Sequence, residues 1–199
     1  MNNKKLGHDV MAFAEKHKAL APEQCGSRKN HQSVLAALNK RLTMDLLRQR
    51  RQAGALCAND AKSCYDRIVH NVAVLSLRRL GTAVGPIQSM FETLQLAKHH
   101  VSRAFGISKN NCGGQRTPPL QGVGQGNGSG PCIWAVISTV IIATMATQGH
   151  GFNILSAITG LLVSFVCYAF VDDTDVIHSA ATPDAPGEEV IGEMQSALD

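Results

Sequence analysis

Residues 168–175 read Tyr-Ala-Phe-Val-Asp-Asp-Thr-Asp, and this stretch predicts the centre of the fold. An apolar run, 161–171, stops at two adjacent carboxylates, Asp172 and Asp173, and a second apolar pair follows at 176–177. Apolar segments on both sides of a short acidic turn are typical of a β-hairpin. Neighbouring carboxylates repel each other, and Mg²⁺, which binds one or two carboxylates together with substrate phosphates, is a suitable counter-charge. An acidic cap between two strands, without a metal, is the alternative.

Composition limits the class of protein. The chain has 199 residues, 44% of them hydrophobic and 17% charged, which is enough for one domain, or for one domain and part of another. Its net charge of +4 is compatible with a nucleic-acid partner. Six scattered cysteines without a C-x-x-C pair argue against structural zinc and predict reduced thiols. The polar N-terminus has no apolar signal core, so we expect an intracellular protein.

Two uncharged runs raise a membrane alternative. Residues 152–171 and 131–147 carry no charge, and each approaches the length of a membrane-spanning helix. Polar and small residues interrupt the first run, and its end is rich in Val, Phe and Tyr, which favours a buried strand. We therefore expect no membrane partner, and a two-helix membrane hairpin stays as the remote alternative.

Further segments carry polar or glycine-rich patterns. A basic loop, 22–33, precedes a predicted helix over 34–52, whose leucines recur at helical spacing. Residues 53–60 predict a buried strand that ends in an acid, and residues 108–119 predict a polar loop. The segment 122–130, Gly-Val-Gly-Gln-Gly-Asn-Gly-Ser-Gly, opens a predicted helix and lacks the G-K-[ST] ending of a P-loop.

In this order, the segments resemble the palm of a reverse transcriptase, particularly those of non-LTR retroelements and group II introns. Residues 60–66 resemble motif A, 122–131 motif B and 170–173 motif C. The loop 22–33 is similar to the fingers motif P-x-Q-x-G-F-R. The resemblance extends from about Pro22 to Val176 and depends on four motifs in the correct order.

The resemblance implies an α+β fold with a right-hand polymerase palm, in which an antiparallel sheet with an acidic hairpin is backed by helices. Residues 1–52 would form partial fingers and residues 53–199 the palm. The implied activity is RNA-directed DNA polymerisation, which transfers nucleotides from dNTPs to the 3′-hydroxyl of a DNA primer on an RNA or DNA template. Two Mg²⁺ ions would be the cofactors, and Mn²⁺ could substitute for them.

Catalytic and metal-binding roles follow for three acids. By resemblance, Asp60 bridges both metals, Asp172 shares that role, and Asp173 is the weaker or more variable ligand. Phosphoryl transfer needs charge neutralisation and in-line positioning more than a side-chain nucleophile, which suits a set of carboxylates.

Nucleotide-binding roles follow for five more residues. The resemblance makes Tyr65 a steric gate that selects dNTP over NTP, and simple packing is the alternative for this ring. Gln125 lies beside the incoming nucleotide in the motif B loop, together with Gly126. Val171 contacts the primer end or the nucleotide, and Arg28 steadies the triphosphate.

The sequence also departs from the family pattern. Gly130 stands where motif B usually has serine, Gly124 where a basic residue is common, and Ser27 where an aromatic residue is usual. The earliest fingers motif is missing, and the chain ends before the motif D lysine and the thumb, so we expect a fragment. Activity of the isolated chain is therefore open, and a catalytically inactive remnant or nucleic-acid-binding module is the alternative.

Overall fold

A computed structural model describes residues 3–113, 121–156, 158–180 and 185–198. The α-helices are α1 Asn3–Lys16, α2 Ser33–Arg50, α3 His70–Arg79, α4 Val84–Leu96, α5 Gly130–Thr147 and α6 Gly187–Leu198. The strands are β1 Gly54–Asp60, β2 Lys98–Arg103, β3 Gly106–Gly113, β4 Phe152–Leu155, β5 Leu162–Phe165, β6 Cys167–Phe170 and β7 Asp173–Ser179. Helices and small antiparallel sheets are mixed, which confirms the α+β class.

Two compact units divide the chain. The first unit contains residues 1–17 and 63–136, and the second contains residues 18–62 and 137–199. The helix α5 contributes its beginning to the first unit and its remainder to the second. The predicted boundary between fingers and palm, at 52/53, divides the chain by function and not by compactness, and it stays a prediction.

The second unit is built on a three-stranded antiparallel sheet in the order β1-β7-β6. Its register pairs Leu56 with Ile177 and Cys57 with Val176. Because successive side chains of a strand point to opposite faces, Ile177 and Val176 face opposite sides of the central strand. The residue at each of these positions is almost fully buried, so both faces of the sheet are covered.

Each face has its own apolar cluster. Around Ile177 lie Leu47 of α2 and Phe152 of β4, and each of these three residues is buried. Around Val176 lie Ile142 of α5 and Met194 of α6. Burying a large apolar side chain stabilises a fold by about 1.5–3 kcal/mol, so these two layers hold the central strand in place.

The uncharged run 152–171 forms strands in the described residues. β4 pairs with β5 as an antiparallel hairpin, and β6 follows after Val166. The predicted single strand over 161–171 is therefore divided in two. By length and composition, α5 is the one helix in the described residues that could cross a membrane, and fewer than half of its residues are buried.

The first unit combines helices with a hairpin. α1, α3 and α4 contribute buried side chains, among them Val10, Leu77 and Met90, and the ring of His70 lies against Phe91 with centroids 5.0 Å apart. A short 3₁₀ helix, Cys64–Arg67, precedes α3. β2 and β3 form a two-stranded antiparallel sheet.

Two sequence predictions are wrong in detail. The segment 53–60 is a strand, but it is exposed or half-buried along its length rather than buried, because it lies at an edge of the sheet. Residues 108–113 of the predicted polar loop belong to strand β3. Pairing with β2, rather than burial of side chains, orders this strand. Residues 114–119 of that loop lie outside the described residues.

Candidate functional site

Three acidic residues come together at one end of the β1-β7-β6 sheet. β1 ends at Asp60, and the register places Asp173, the first residue of β7, directly opposite it. Asp172 occupies the turn before β7, and its carbonyl accepts a hydrogen bond of 3.3 Å from the N–H of Ala61. Residues that are distant in the sequence are therefore neighbours in the second unit.

The position of these acids makes them available to a cation. Directly opposite residues of an antiparallel pair share one face, with Cβ atoms about 5 Å apart, and like charges there repel each other. Asp60 and Asp173 are exposed and Asp172 is half-buried. In the described residues, no three His, Cys, Asp or Glu side chains already converge on a metal position. The backbone register thus brings Asp60 and Asp173 side by side, and carboxylate oxygens are ligands that Mg²⁺ prefers.

The turn that carries the acids contains a strained residue. Val171 has φ +60°, in the left-handed region, where a β-branched residue is an outlier. An L-residue in this conformation costs about 1–2 kcal/mol. Two-residue hairpin turns favour positive φ, which Asn and Gly usually provide. Because valine stands here instead, other contacts have to hold the turn.

Gln24 supplies those contacts, and the sequence interpretation assigned it no role. Its side chain is 1% exposed. Its Oε1 accepts hydrogen bonds from the N–H groups of Val171 at 3.1 Å and Gly26 at 2.9 Å. Its Nε2 donates to the carbonyl of Val171 and to Oγ of Ser138, each at 3.2 Å. A glutamine inside the motif P-x-Q-x-G was the available signal, but only burial reveals that its amide faces the acidic turn.

The backbone around Gln24 also pairs with the sheet. The N–H of Cys25 donates to the carbonyl of Ala169 at 2.8 Å, and the N–H of Ala169 donates to the carbonyl of Glu23 at 3.1 Å. A Cβ built on Gly26 would lie only 2.1 Å from the backbone nitrogen of Val171. Glycine is therefore required at position 26, because any side chain would displace the turn.

Arg28 stabilises the same loop from within. Its Nη1 donates to the carbonyl of Ala21 at 2.8 Å and to the carbonyl of Gln24 at 2.9 Å. Hydrogen bonds that involve a charged donor contribute more than neutral ones, about 1.5–3 kcal/mol. The half-buried guanidinium thus fixes the loop that presents Gln24, and its contact with a triphosphate stays a prediction.

Tyr65 and the motif B loop are joined in the first unit. Tyr65 is half-buried in the 3₁₀ helix, and its carbonyl accepts a hydrogen bond of 2.8 Å from the N–H of Val123. The N–H of Gly122 donates to the carbonyl of Ile68 at 2.9 Å. A Cβ built on Gly130 would lie 3.4 Å from the Tyr65 ring. A glycine at position 130, where the family pattern has serine, thus leaves the ring close to the helix backbone.

The middle of this loop is accessible. Gln125 and Gly126 are exposed, and Gly124 and Gly126 have positive φ values of 72° and 88°. Glycine adopts such φ values without steric cost. The loop therefore presents the Gln125 side chain to solvent, where a ligand could reach it.

The predicted site residues fall into two groups, one in each unit. The second unit holds Asp60, Asp172, Asp173, Val171 and Arg28, and the first unit holds Tyr65, Gln125 and Gly126.

Replacing Gly122 by alanine is expected to lower the free energy of unfolding of the first unit by about 3 kcal/mol or more. Its φ is +86°, and a Cβ would lie 2.5 Å from Cα of Asp66. Urea denaturation followed by the fluorescence of Trp134, the single tryptophan, measures the loss.

The matched control is Gly124→Ala, because Gly124 has a φ of +72° and no heavy atom within 4 Å of its Cβ position. It should cost only the conformational term, about 1–2 kcal/mol. Equal losses for the two variants would contradict the close approach of the motif B loop to Asp66.

Burial keeps several thiols protonated. All six cysteines are free, as the sequence predicts. Burial raises the pKa of Cys132 and of Cys167 to about 12, and burial likewise raises the pKa of Tyr168 to about 12. Burial therefore favours the neutral form of these groups, which is typical of side chains that pack in a core.

Comparison of the chain with models of known protein families finds no match, and comparison with curated proteins finds no similar sequence either.

Proposed function

We propose that this chain is a reverse-transcriptase-like polymerase palm that carries out metal-dependent nucleotidyl transfer from a dNTP to a primer 3′-hydroxyl. The observation that carries the proposal is the cross-strand pairing of Asp60 with Asp173, next to Asp172 in the turn. Motifs that lie more than a hundred residues apart were interpreted as one acidic site, and the register gives that interpretation a physical basis.

The acids of the second unit would hold the metal ions. Asp60 and Asp172 would be the main ligands of the cations, and Asp173 would be the weaker one. Bound Mg²⁺, or Mn²⁺ in its place, supplies the positive charge that phosphoryl transfer requires. Val171 contacts the primer end or the nucleotide from the turn, and Arg28 contributes positive charge from the loop.

By resemblance, three further residues would recognise the nucleotide. Tyr65 gates the sugar, because its ring would clash with a 2′-hydroxyl. Gln125 and Gly126 form the part of the motif B loop beside the base and sugar. The partners are an RNA or DNA template, a DNA primer and dNTPs, and the net charge of +4 favours such polyanions.

Titration with Mn²⁺, followed by electron paramagnetic resonance, tests the metal site directly. We expect Asp60→Asn and Asp172→Asn each to weaken Mn²⁺ binding by about 10-fold or more, since each variant removes an anionic ligand. The control is Asp45→Asn, which changes an acid of α2 in the same unit that pairs with Arg41 and Arg48. Equal affinity in all four proteins, or no binding to the natural chain, would contradict the site.

A further inference from the structure

The acidic turn depends on a residue from a remote segment. Val171 holds a left-handed conformation that valine avoids, immediately before Asp172 and Asp173. Strained residues persist only where surrounding contacts over-determine them. Val171 and Asp172 are the two residues between the paired Phe170 and Asp173, so contacts that hold Val171 also constrain the backbone that carries Asp172.

The side chain of Gln24 supplies the contacts that hold Val171 in this conformation. Both polar groups of the Val171 backbone bond to its side chain, the N–H to Oε1 and the carbonyl to Nε2. The two remaining bonds of the amide go to the N–H of Gly26 and to Oγ of Ser138. The N–H groups of Val171 and Gly26 need an acceptor, and the carbonyl of Val171 needs a donor. A primary amide provides both the acceptor and the donor on one side chain.

The same contacts connect three segments of the second unit. Gln24 belongs to the loop that pairs with β6 through Ala169, Ser138 belongs to α5, and Val171 belongs to the acidic turn. An unsatisfied polar group in so buried a position is costly. The amide therefore links the loop, α5 and the acidic turn, in addition to the backbone hydrogen bonds between the loop and Ala169.

We propose that Gln24 is a positioning residue that holds the acidic turn in the geometry required for cation binding. This inference rests on the proposed function, because it assumes that Asp60 and Asp172 bind the cation. Gln24 does not itself contact the metal or the substrate. It acts through the backbone of Val171.

The test is a Gln24→Met variant of the full chain. Methionine has a similar length and shape but lacks the amide, so it removes the four hydrogen bonds while filling the volume. The matched control is Gln52→Met, which makes the same change at the other end of the sheet, where Nε2 of Gln52 donates to the carbonyl of Ala180 at 2.6 Å. Mn²⁺ affinity and hydrogen exchange of the segment 168–174 are measured in both.

We expect Gln24→Met to weaken Mn²⁺ binding by about 10-fold, the lower end of the effect that outer-shell partners have on metal sites, and to accelerate exchange of the Val171 amide. Gln52→Met should change neither. Mn²⁺ affinity equal to that of the natural chain in Gln24→Met would overturn the inference.

A second variant keeps the test decisive if Gln24→Met does not fold. In the double variant Gln24→Met, Val171→Gly, glycine adopts positive φ without the steric cost, so the amide is no longer needed to offset that cost. We expect this variant to fold and to recover part of the Mn²⁺ affinity. A double variant that binds Mn²⁺ no better than Gln24→Met, or that also fails to fold, would contradict a role in holding Val171.

Failure of the proposed function looks different. In that case the natural chain shows no Mn²⁺ binding that depends on Asp60, before any change at Gln24 is made. Hydrogen exchange then tests separately whether Gln24 holds the turn. Faster exchange of the Val171 amide in Gln24→Met supports the hold on the turn, and unchanged exchange overturns it.

Discussion

Asp60→Asn and Asp172→Asn are each expected to lower Mg²⁺-dependent incorporation of dTMP on poly(rA)/oligo(dT) by about a thousandfold. Each substitution removes one negative charge from the proposed metal site and keeps the shape of the side chain. Metal ions stabilise the transition state of phosphoryl transfer by several kcal/mol, and about 4 kcal/mol corresponds to a thousandfold change in rate. Primer extension with radiolabelled dTTP measures the loss.

The control for this experiment is again Asp45→Asn, which should extend primers as the natural chain does. Asp173→Asn should have a smaller effect than the other two, because Asp173 is the weaker ligand in the proposed site. Unchanged extension by Asp60→Asn or Asp172→Asn would show that the acids do not act in catalysis.

A natural chain that extends no primer would favour a different description of the protein. If it binds Mn²⁺ through Asp60 and also binds primer–template without extending it, the inactive nucleic-acid-binding remnant is the better description.

The second large effect is expected for Gly26→Ala, which should lower the free energy of unfolding of the second unit by about 3 kcal/mol or more. The added methyl group would meet the backbone nitrogen of Val171 at 2.1 Å. A rotamer change cannot relieve a clash between a Cβ and a backbone atom. The loop or the turn has to move, which breaks the hydrogen bonds of Gln24.

Urea denaturation followed by circular dichroism, with hydrogen exchange of the segment 168–174, measures this effect. The matched variant is Gly187→Ala, which changes a glycine of the same unit with no heavy atom near its Cβ position. It should leave stability within about 1 kcal/mol of the natural chain. Similar stability of Gly26→Ala and Gly187→Ala would refute the close approach of the loop to the turn.

The sequence predicted the acidic hairpin because the pattern there is local. The end of the apolar run forms β6, Asp172 lies in the turn, and Asp173 begins β7, which contains the second apolar segment. The helix α5 was equally clear, since a glycine-rich loop and Pro131 precede a long apolar segment. In both cases, neighbours in the sequence supply the contacts that decide the structure.

Composition and periodicity do not specify long-range contacts, and only the family resemblance grouped Asp60 with Asp172 and Asp173. Composition cannot show that Asp60 pairs with Asp173, because register depends on the packing of both strands. Burial of Gln24 depends on α5 and the turn, which are remote from it in sequence. Likewise, Leu35 and Leu38 recur at helical spacing in α2, yet both are about half exposed. Periodicity identifies an apolar stripe but not the surface that covers it.

The order of strands has a consequence for the synthesis of the protein. β7 is the central strand of its sheet, yet the ribosome makes it more than a hundred residues after β1. At 5–20 residues per second, β1 waits roughly 5–25 s for its partner, and closing a loop of that length costs roughly 4 kcal/mol of chain entropy. During this interval β1 is an unpaired strand that another chain can join. Nascent chains, rather than finished ones, are therefore the species most exposed to aggregation.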